Sequence, residues 1–583
     1  MKIVFKSLQV LLLVLLCGCA YLYWKLSPEE PPALQAFINA NVITVDSQDS
    51  RYEAALVEGQ TIIAVGSTKE ITALIQAHAD RASVRVHDLS GKTLMPGIID
   101  AHSHFPGSGV YQFAADLNSP PIGLIRNIDE LQNELRRLSN QRPGNEWLFG
   151  LGYDDSQMEE SRHPTRAELD AVSSSRPIFI LHVSGHMGVV NSKGLELLEI
   201  DQDSVPPEGG AYLKNEQGEL TGLLLETAAL EALSHAADFS VFEIVDILKK
   251  ATQEYASQGI TSAQNGAADR KQADGLRWAS KLGLTKQRLI VWPLQDVYTQ
   301  QDLIEIGRDN TDMFEVGAIK LVVDGSIQGY TGYLSKPYHV QPTQLLHHHQ
   351  DDDNKAYRGK PLIERNALVE LVSNYFSTGQ RLAIHGNGDA AIDDILHAVE
   401  MALKKAPEFD HRTVLVHGQM ARRDQLAKMK ELGVVPSFFS AHTYYWGDRH
   451  RRLFMGRARA DGMSPARSAQ RNELRYSIHL DTPVVPMQTM RLLWTAVNRE
   501  SSSGQIIGRR ERISREQAIR AVTINAAYQV FKEASLGSIE VGKLADFVVL
   551  DQDPTDRKID LLDISILSTF VGGVRIYHKS DSQ

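Results

Sequence analysis

His102-Ser103-His104 follow the apolar run Leu94-Met95-Pro96-Gly97-Ile98-Ile99-Asp100-Ala101. The run reads as a buried strand, and on extended chain residues i and i+2 point the same way. Both imidazoles then reach one ion from a rigid backbone, at the strand end where a barrel opens to substrate. Two histidines leave a coordination shell incomplete, so other parts of the chain must supply further ligands. The only cysteines, Cys17 and Cys19, lie in an N-terminal apolar segment. In the body a metal therefore falls to His, carboxylate or modified Lys.

Further candidates sit on a series of strand-like runs that alternate with amphipathic helical stretches, the βα pattern of a parallel barrel. After the strand ending in His104 come Ile260-Thr261-Ser262-Ala263, Arg288-Leu289-Ile290-Val291-Trp292, Ala318-Ile319-Lys320-Leu321-Val322-Val323, Arg381-Leu382-Ala383-Ile384-His385, Val414-Leu415-Val416-His417, Val434-Val435-Pro436-Ser437-Phe438-Phe439 and Tyr476-Ser477-Ile478-His479-Leu480-Asp481. These eight runs predict an α/β fold, a (β/α)8 TIM-type barrel. Its chemistry-bearing residues are His102, His104, Lys320, His385, His417 and Asp481. Each has a plainer reading. A lone strand-end histidine among the 20 in the chain is more often a core or surface residue. Asp481 also suits a cap before Thr482-Pro483. Lys320 on an apolar strand is costly to bury as a cation, which leaves either a neutralising partner or a carbamate formed with CO2.

The ordered set resembles the metal-dependent amidohydrolase superfamily, and within it the amidohydrolase-3 branch. The supporting strings are Gly185-His186-Met187-Gly188-Val189-Val190-Asn191, Leu220-Thr221-Gly222-Leu223-Leu224-Leu225-Glu226, Ile319-Lys320 with Asp324-Gly325-Ser326, Thr523-Ile524-Asn525-Ala526-Ala527, and Gly537-Ser538-Ile539-Glu540 leading into Gly542-Lys543-Leu544-Ala545-Asp546. The resemblance runs from Ala33 to the C-terminal region. It implies that His102, His104, His385, His417, Asp481 and a carboxylated Lys320 ligate one or two divalent ions. Zinc suits the imidazole and carboxylate donors. Such ions acidify bound water and polarise a carbonyl, and Asp481 would act as general base and pass the proton to the leaving group. The implied reaction is hydrolysis of an amide, cyclic amide or N-acyl bond of a small molecule. Two other readings stand beside it: an esterase-type hydrolase, and a membrane-tethered, non-catalytic binding or regulatory protein on the same fold. Substrate-binding candidates are His182, His186 and Asn191, Asp324, and His442 with Tyr444-Tyr445-Trp446, the aromatic run being equally suited to packing a loop. Two positions depart from relatives. Gly388 stands where deaminating members carry Glu, which disfavours deamination, and Tyr330 stands where the branch commonly has Arg.

The elements that position these residues follow from length and pattern. With 583 residues, the chain exceeds one barrel. Short strands and turns over residues 33–92 recur over 530–583, which predicts a small β-sandwich domain built from both chain ends beside a barrel spanning 93–529. The stretch from about 106 to 246 is too long for one βα connection and reads as a subdomain inserted after the first barrel strand, over the active-site face. Lys2 and Lys6 precede an apolar run from Leu8 through Trp24, so residues 1–28 read as a signal anchor or as a lipoprotein signal with Cys19 acylated. Either version tethers the protein to a membrane with its catalytic part on the extracytoplasmic side. Lys plus Arg number 61 against 72 for Asp plus Glu, with no basic stripe, which argues against a nucleic-acid partner. His347-His348-His349 with Asp351-Asp352-Asp353 read as a solvated loop. Oligomeric state is not legible.

Overall fold

The computed structural model describes residues 30–77, 84–295, 297–308, 310–342, 356–407 and 409–580. The predicted anchor at 1–28 and the His347–Asp353 loop lie outside them. Among the described residues no helix is long and apolar enough to cross a membrane.

Sheets and helices are mixed. Parallel strands β1 (Ile98–Ile99), β2 (Ile260–Ala268) and β3 (Arg288–Pro293) pair in chain order. Strands β4 (Ile319–Val322), β5 (Leu382–Gly386), β6 (Val414–His417), β7 (Val435–Phe438) and β8 (Ser477–Ile478) form a second parallel sheet, also in order. The Val, Ile and Leu runs are buried on both faces, as strands covered by crossover helices must be. Hydrogen bonds join the two sheets on both sides. Gln295 N–H donates to Lys320 O at 3.0 Å, while Asp481 N–H donates to His102 O at 3.1 Å and His104 N–H to Thr482 O at 2.8 Å.

Two expectations about these strands are corrected. The run from Leu94 is not one strand: Thr93–Pro96 belongs to a different sheet from β1. Gly97 separates them, and a Cβ there would lie 2.3 Å from the Thr261 side chain. His102 and His104 thus follow the strand rather than ending it. The fourth run holds as β4, which pairs onward to β5, while a further short strand before it, Phe314–Val316, pairs back to β3. Strand β8 stops at Ile478, and Asp481 lies beyond it at φ 61°.

Between β1 and β2 the chain builds a six-stranded sheet in the order Gly210–Lys214, Leu220–Glu226, Met187–Val190, Ile178–His182, Leu148–Tyr153, Ala115–Asp116. The helix Val241–Ser257, which opens on a Ser240/Glu243 capping box, already packs against β2. The chain ends share another sheet, Thr93–Pro96 pairing with Phe547–Leu550. Phe37 meets Phe547 and Phe570 edge-on at 5.2 and 5.1 Å, closing an apolar core there. Arg288 on β3 reaches that unit through a bidentate, buried pair with Asp546 at 2.9 and 2.8 Å.

Candidate active site

The exits of β1, β4, β5, β6 and β8 place the predicted ligand residues around one carboxylate. Asp481 Oδ1 lies 3.2 Å from His104 Nε2 and 3.4 Å from His102 Nε2. Its Oδ2 lies 3.9 Å from His417 Nε2. Lys320 Nζ is 3.3 Å from His102 Nε2, and the His385 and His417 rings are 4.5 Å apart. The positive φ of His417 (72°) and Asp481 marks backbone strained at the strand exits, as functional sites often show.

Burial sets the charge states. It holds His102, His385 and His417 well below the ordinary imidazole pKa, so their rings are neutral and free to donate lone pairs. Burial brings Lys320 down to about 7, with Asp481 opposing that shift. At Asp481 burial works against the carboxylate, and the hydrogen bond from His104 favours it, holding its pKa below the usual range. His104 is 36 % exposed at its side chain, so the cluster opens to solvent beside it. Neutral imidazoles, an ionised carboxylate and a buried amine make a donor set that fits a divalent cation, and the ligand atoms of His102, His104 and Asp481 all lie within 4.8 Å of one another.

Outer contacts orient the rings. His417 Nδ1 meets His479 Nε2 at 3.1 Å, and His479 Nδ1 meets Ser437 Oγ at 2.8 Å. His385 Nε2 lies 3.3 Å from Gly325 O and 3.0 Å from Asn387 Nδ2. Such partners fix ring orientation at metal sites. His479 and Asn387 were missed from sequence, although His479 stands two residues before Asp481 on the same strand-exit segment.

The substrate-binding candidates separate. His186 stands against His385 at 5.1 Å and its Nδ1 lies 2.7 Å from Glu226 Oε2. His442 is buried beside Phe439 at 4.1 Å, 6.4 Å from the His417 ring. Asn191 is a correction: its side chain accepts from Ile178 N–H and Gly194 N–H and donates to Ser173 O and Arg176 O, which exhausts it inside the inserted sheet. Asp324 accepts the N–H groups of Asn387, Gly388 and Tyr333 at 2.8–2.9 Å and shapes the β5 exit, its Oδ1 3.9 Å from His385 Nε2. His182 is held by Asp155 and Ser184 at 3.0 and 2.8 Å. Trp446 donates to Asp154 at 2.9 Å, so the aromatic run ties the loop after β7 to the insertion. At Gly388 a Cβ would lie 1.8 Å from Tyr333 O, leaving this backbone no room for the Glu of deaminating members.

Residues 85–577 match the sequence profile of the Amidohydrolase family. The chain belongs to the amidohydrolase family. It is thus a hydrolase of the class that acts on carbon–nitrogen bonds. An amidohydrolase-family relative, the N-substituted formamide deformylase of Arthrobacter pascens, is 30% identical over 569 residues, covering 94% of this chain and 98% of the relative. The protein LONG AFTER FAR-RED 3 of Arabidopsis thaliana is 25% identical over 575 residues, 95% of this chain and 94% of that one. Among solved structures, an uncharacterized metal-dependent hydrolase of Pyrococcus horikoshii OT3 superposes with a TM-score of 0.70 at 23% identity, over 91% of this chain and 99% of that one, a likeness of fold.

Proposed function

We propose that this amidohydrolase cleaves the C–N bond of a small N-acyl compound, N-substituted formamides foremost, with Asp481 as general base. The carrying observation is the convergence of three imidazoles, those of His102, His104 and His417, on the Asp481 carboxylate, with Lys320 against His102 and His385 against His417. Likeness to the formamide deformylase supports the substrate class. His102, His104, Lys320, His385, His417 and Asp481 would hold one or two zinc ions, with Lys320 carboxylated. The ions would polarise the scissile carbonyl and acidify the attacking water. Asp481 takes a proton from that water as its oxygen bonds to the carbonyl carbon, then returns it to nitrogen as the C–N bond breaks. Acid and amine are released. His479 and Ser437 keep the His417 ring oriented throughout, and His186 and His442 face the bound compound.

In the same reading the eight parallel strands close as a (β/α)8 barrel, the chain ends form a β sandwich beside it, and the N-terminal segment tethers the protein with this site outside the cytoplasm. The tether rests on Lys2, Lys6 and the apolar run that follows.

The test is metal analysis of protein purified without chelator, followed by assay on N-substituted formamides, N-acyl amino acids, cyclic ureides and simple esters. Bound zinc and formate release from formamides are expected. Asp481→Asn should keep most of the metal and lose about 10²–10⁴-fold in turnover. Wild-type rates in that variant overturn the role of Asp481, and metal-free protein overturns the site. Mass spectrometry of the mature N-terminus separates a lipid-modified Cys19 from an intact Met1.

A further inference from the structure

A row of buried polar side chains leads away from the ligand cluster and takes no part in it. Gln328 follows β4, Gln419 follows β6, and His442 and His450 follow β7. All four are at most 4% exposed. Gln328 Nε2 lies 3.5 Å from His442 Nε2, and Gln419 Nε2 lies 2.9 Å from His450 Nε2. The two rings stand 6.0 Å apart. Apolar groups wall the row: Phe439 against His442, Phe454 at 5.3 Å from His450, and Met463 Sδ at 4.0 Å from Gln419.

Each Gln–His pair leaves the same two atoms without a partner. These are Oε1 and Nδ1 in Gln328–His442, and again Oε1 and Nδ1 in Gln419–His450. An unmade buried hydrogen bond costs roughly 1–3 kcal/mol, and apolar side chains of similar shape would fill the space without that cost. The pattern left over is defined. When the Gln amide N–H donates to the ring Nε2, Nδ1 carries the proton, and the pair offers one donor (Nδ1–H) and one acceptor (Oε1). With the amide turned the other way, ring Nε2–H donates to Oε1, Nδ1 becomes the acceptor and the amide N–H groups the donors. No Asp, Glu, Lys or Arg side chain takes part in these contacts, so the complement is uncharged. A donor and an acceptor together complement the C=O and N–H of a secondary amide.

We propose that the Gln328–His442 pair, with Gln419–His450 one step deeper, is a subsite for a second, uncharged amide group of the substrate, separate from the bond that is cleaved. This rests on the C–N hydrolase reading, and predicts diamide-type or ureide-type compounds over simple alkyl formamides.

The test compares N-(ω-acetamidoalkyl)formamides, with linkers of two to five carbons, against isosteres in which the acetamide N–H is replaced by CH2. Binding to the metal-loaded protein is measured by calorimetry and formate release by assay. At one linker length the amide should bind at least tenfold more tightly than its isostere, and Gln328→Met should reduce that ratio to within twofold. Equal affinities at every length in the wild-type protein overturn the subsite and identify the row as water-filled. A clear preference in binding without formate release keeps the subsite and overturns the formamide reading.

Discussion

Glu226 Oε2 lies 2.7 Å from His186 Nδ1, and Glu226 N–H donates to His186 O, also at 2.7 Å. Glu226 holds this double contact at φ 50°, a conformation that a non-glycine residue adopts at a cost. Gly325 makes room for it, because a Cβ there would lie 2.5 Å from Glu226 Oε1. Burial opposes charge on His186, yet the Glu226 carboxylate raises its pKa above the ordinary value. The inserted sheet thereby delivers an oriented imidazole against His385. Glu226→Gln keeps the shape and removes the charge. We expect kcat/KM to fall about 10–100-fold, the range for residues that orient metal-site groups, with metal content retained. Unchanged kinetics would reduce the pair to packing.

Gly266 of β2 is predicted to control the metal site sterically. A Cβ at this position would lie 2.2 Å from His102 Nδ1 and Cε1. The ring is buried among Trp292, His417 and His479 and has nowhere to retreat without leaving Asp481. Gly266→Ala should therefore weaken metal binding by about 10–100-fold, measured by competition with a chromogenic chelator. Wild-type affinity would show that the ring is free to shift.

These two residues show where the sequence was legible. His102, His104, His385, His417 and Asp481 announce themselves because each stands at the exit of an apolar run, and the runs recur in order. Glu226 and Gly266 act only through contacts across the fold, with residues 40 and 164 positions away in the chain. No local pattern marks such partners. The division at Gly97 was hidden for a similar reason, since the apolar run is continuous and only the approach of Thr261 breaks it. Asn191 misled in the opposite direction: an Asn in a motif beside His186 looked substrate-facing, but its work is to tie Ile178, Gly194, Ser173 and Arg176 together.

The Lys320 amine should respond to carbon dioxide. With burial bringing its pKa to about 7, an appreciable fraction is the unprotonated amine at neutral pH, the form that attacks CO2, and that fraction rises as pH passes upward through 7. Apo-protein reconstituted with zinc in CO2-depleted buffer should be less active than the same sample given bicarbonate. Lys320→Arg should show no bicarbonate response. Equal activities with and without bicarbonate in the wild-type protein would rule out the carbamate.

Asp546 and Arg288 predict how β3 is tied to the chain-end unit. The pair is bidentate, 4% and 5% exposed at the side chains, and Asp546 also accepts Gly572 N–H at 2.8 Å. Removing one partner strands a buried charge, which costs about 3–5 kcal/mol. Asp546→Asn should lower the denaturation midpoint accordingly, read by urea titration. A change below about 1 kcal/mol would mean that water reaches Arg288.

His87 should make the apo-protein lose stability in mild acid. Its ring stacks on Phe37 at 4.6 Å and meets Phe570 edge-on at 5.5 Å. Burial, with the charges of Arg575 and Arg85 behind it, lowers its pKa from 6.5 to about 4. The folded state therefore favours the neutral ring. Above pH 6.5 both states are neutral and the contribution is fully present. Between 6.5 and 4 the unfolded chain binds the proton more readily, so stability falls as the pH drops through that window. Chelator-treated wild-type protein and His87→Asn, melted at steps from pH 7.5 to 4.5, should differ in slope, the variant falling less. Parallel slopes would show that the ring titrates alike in both states and that the Phe37 stack tolerates the imidazolium.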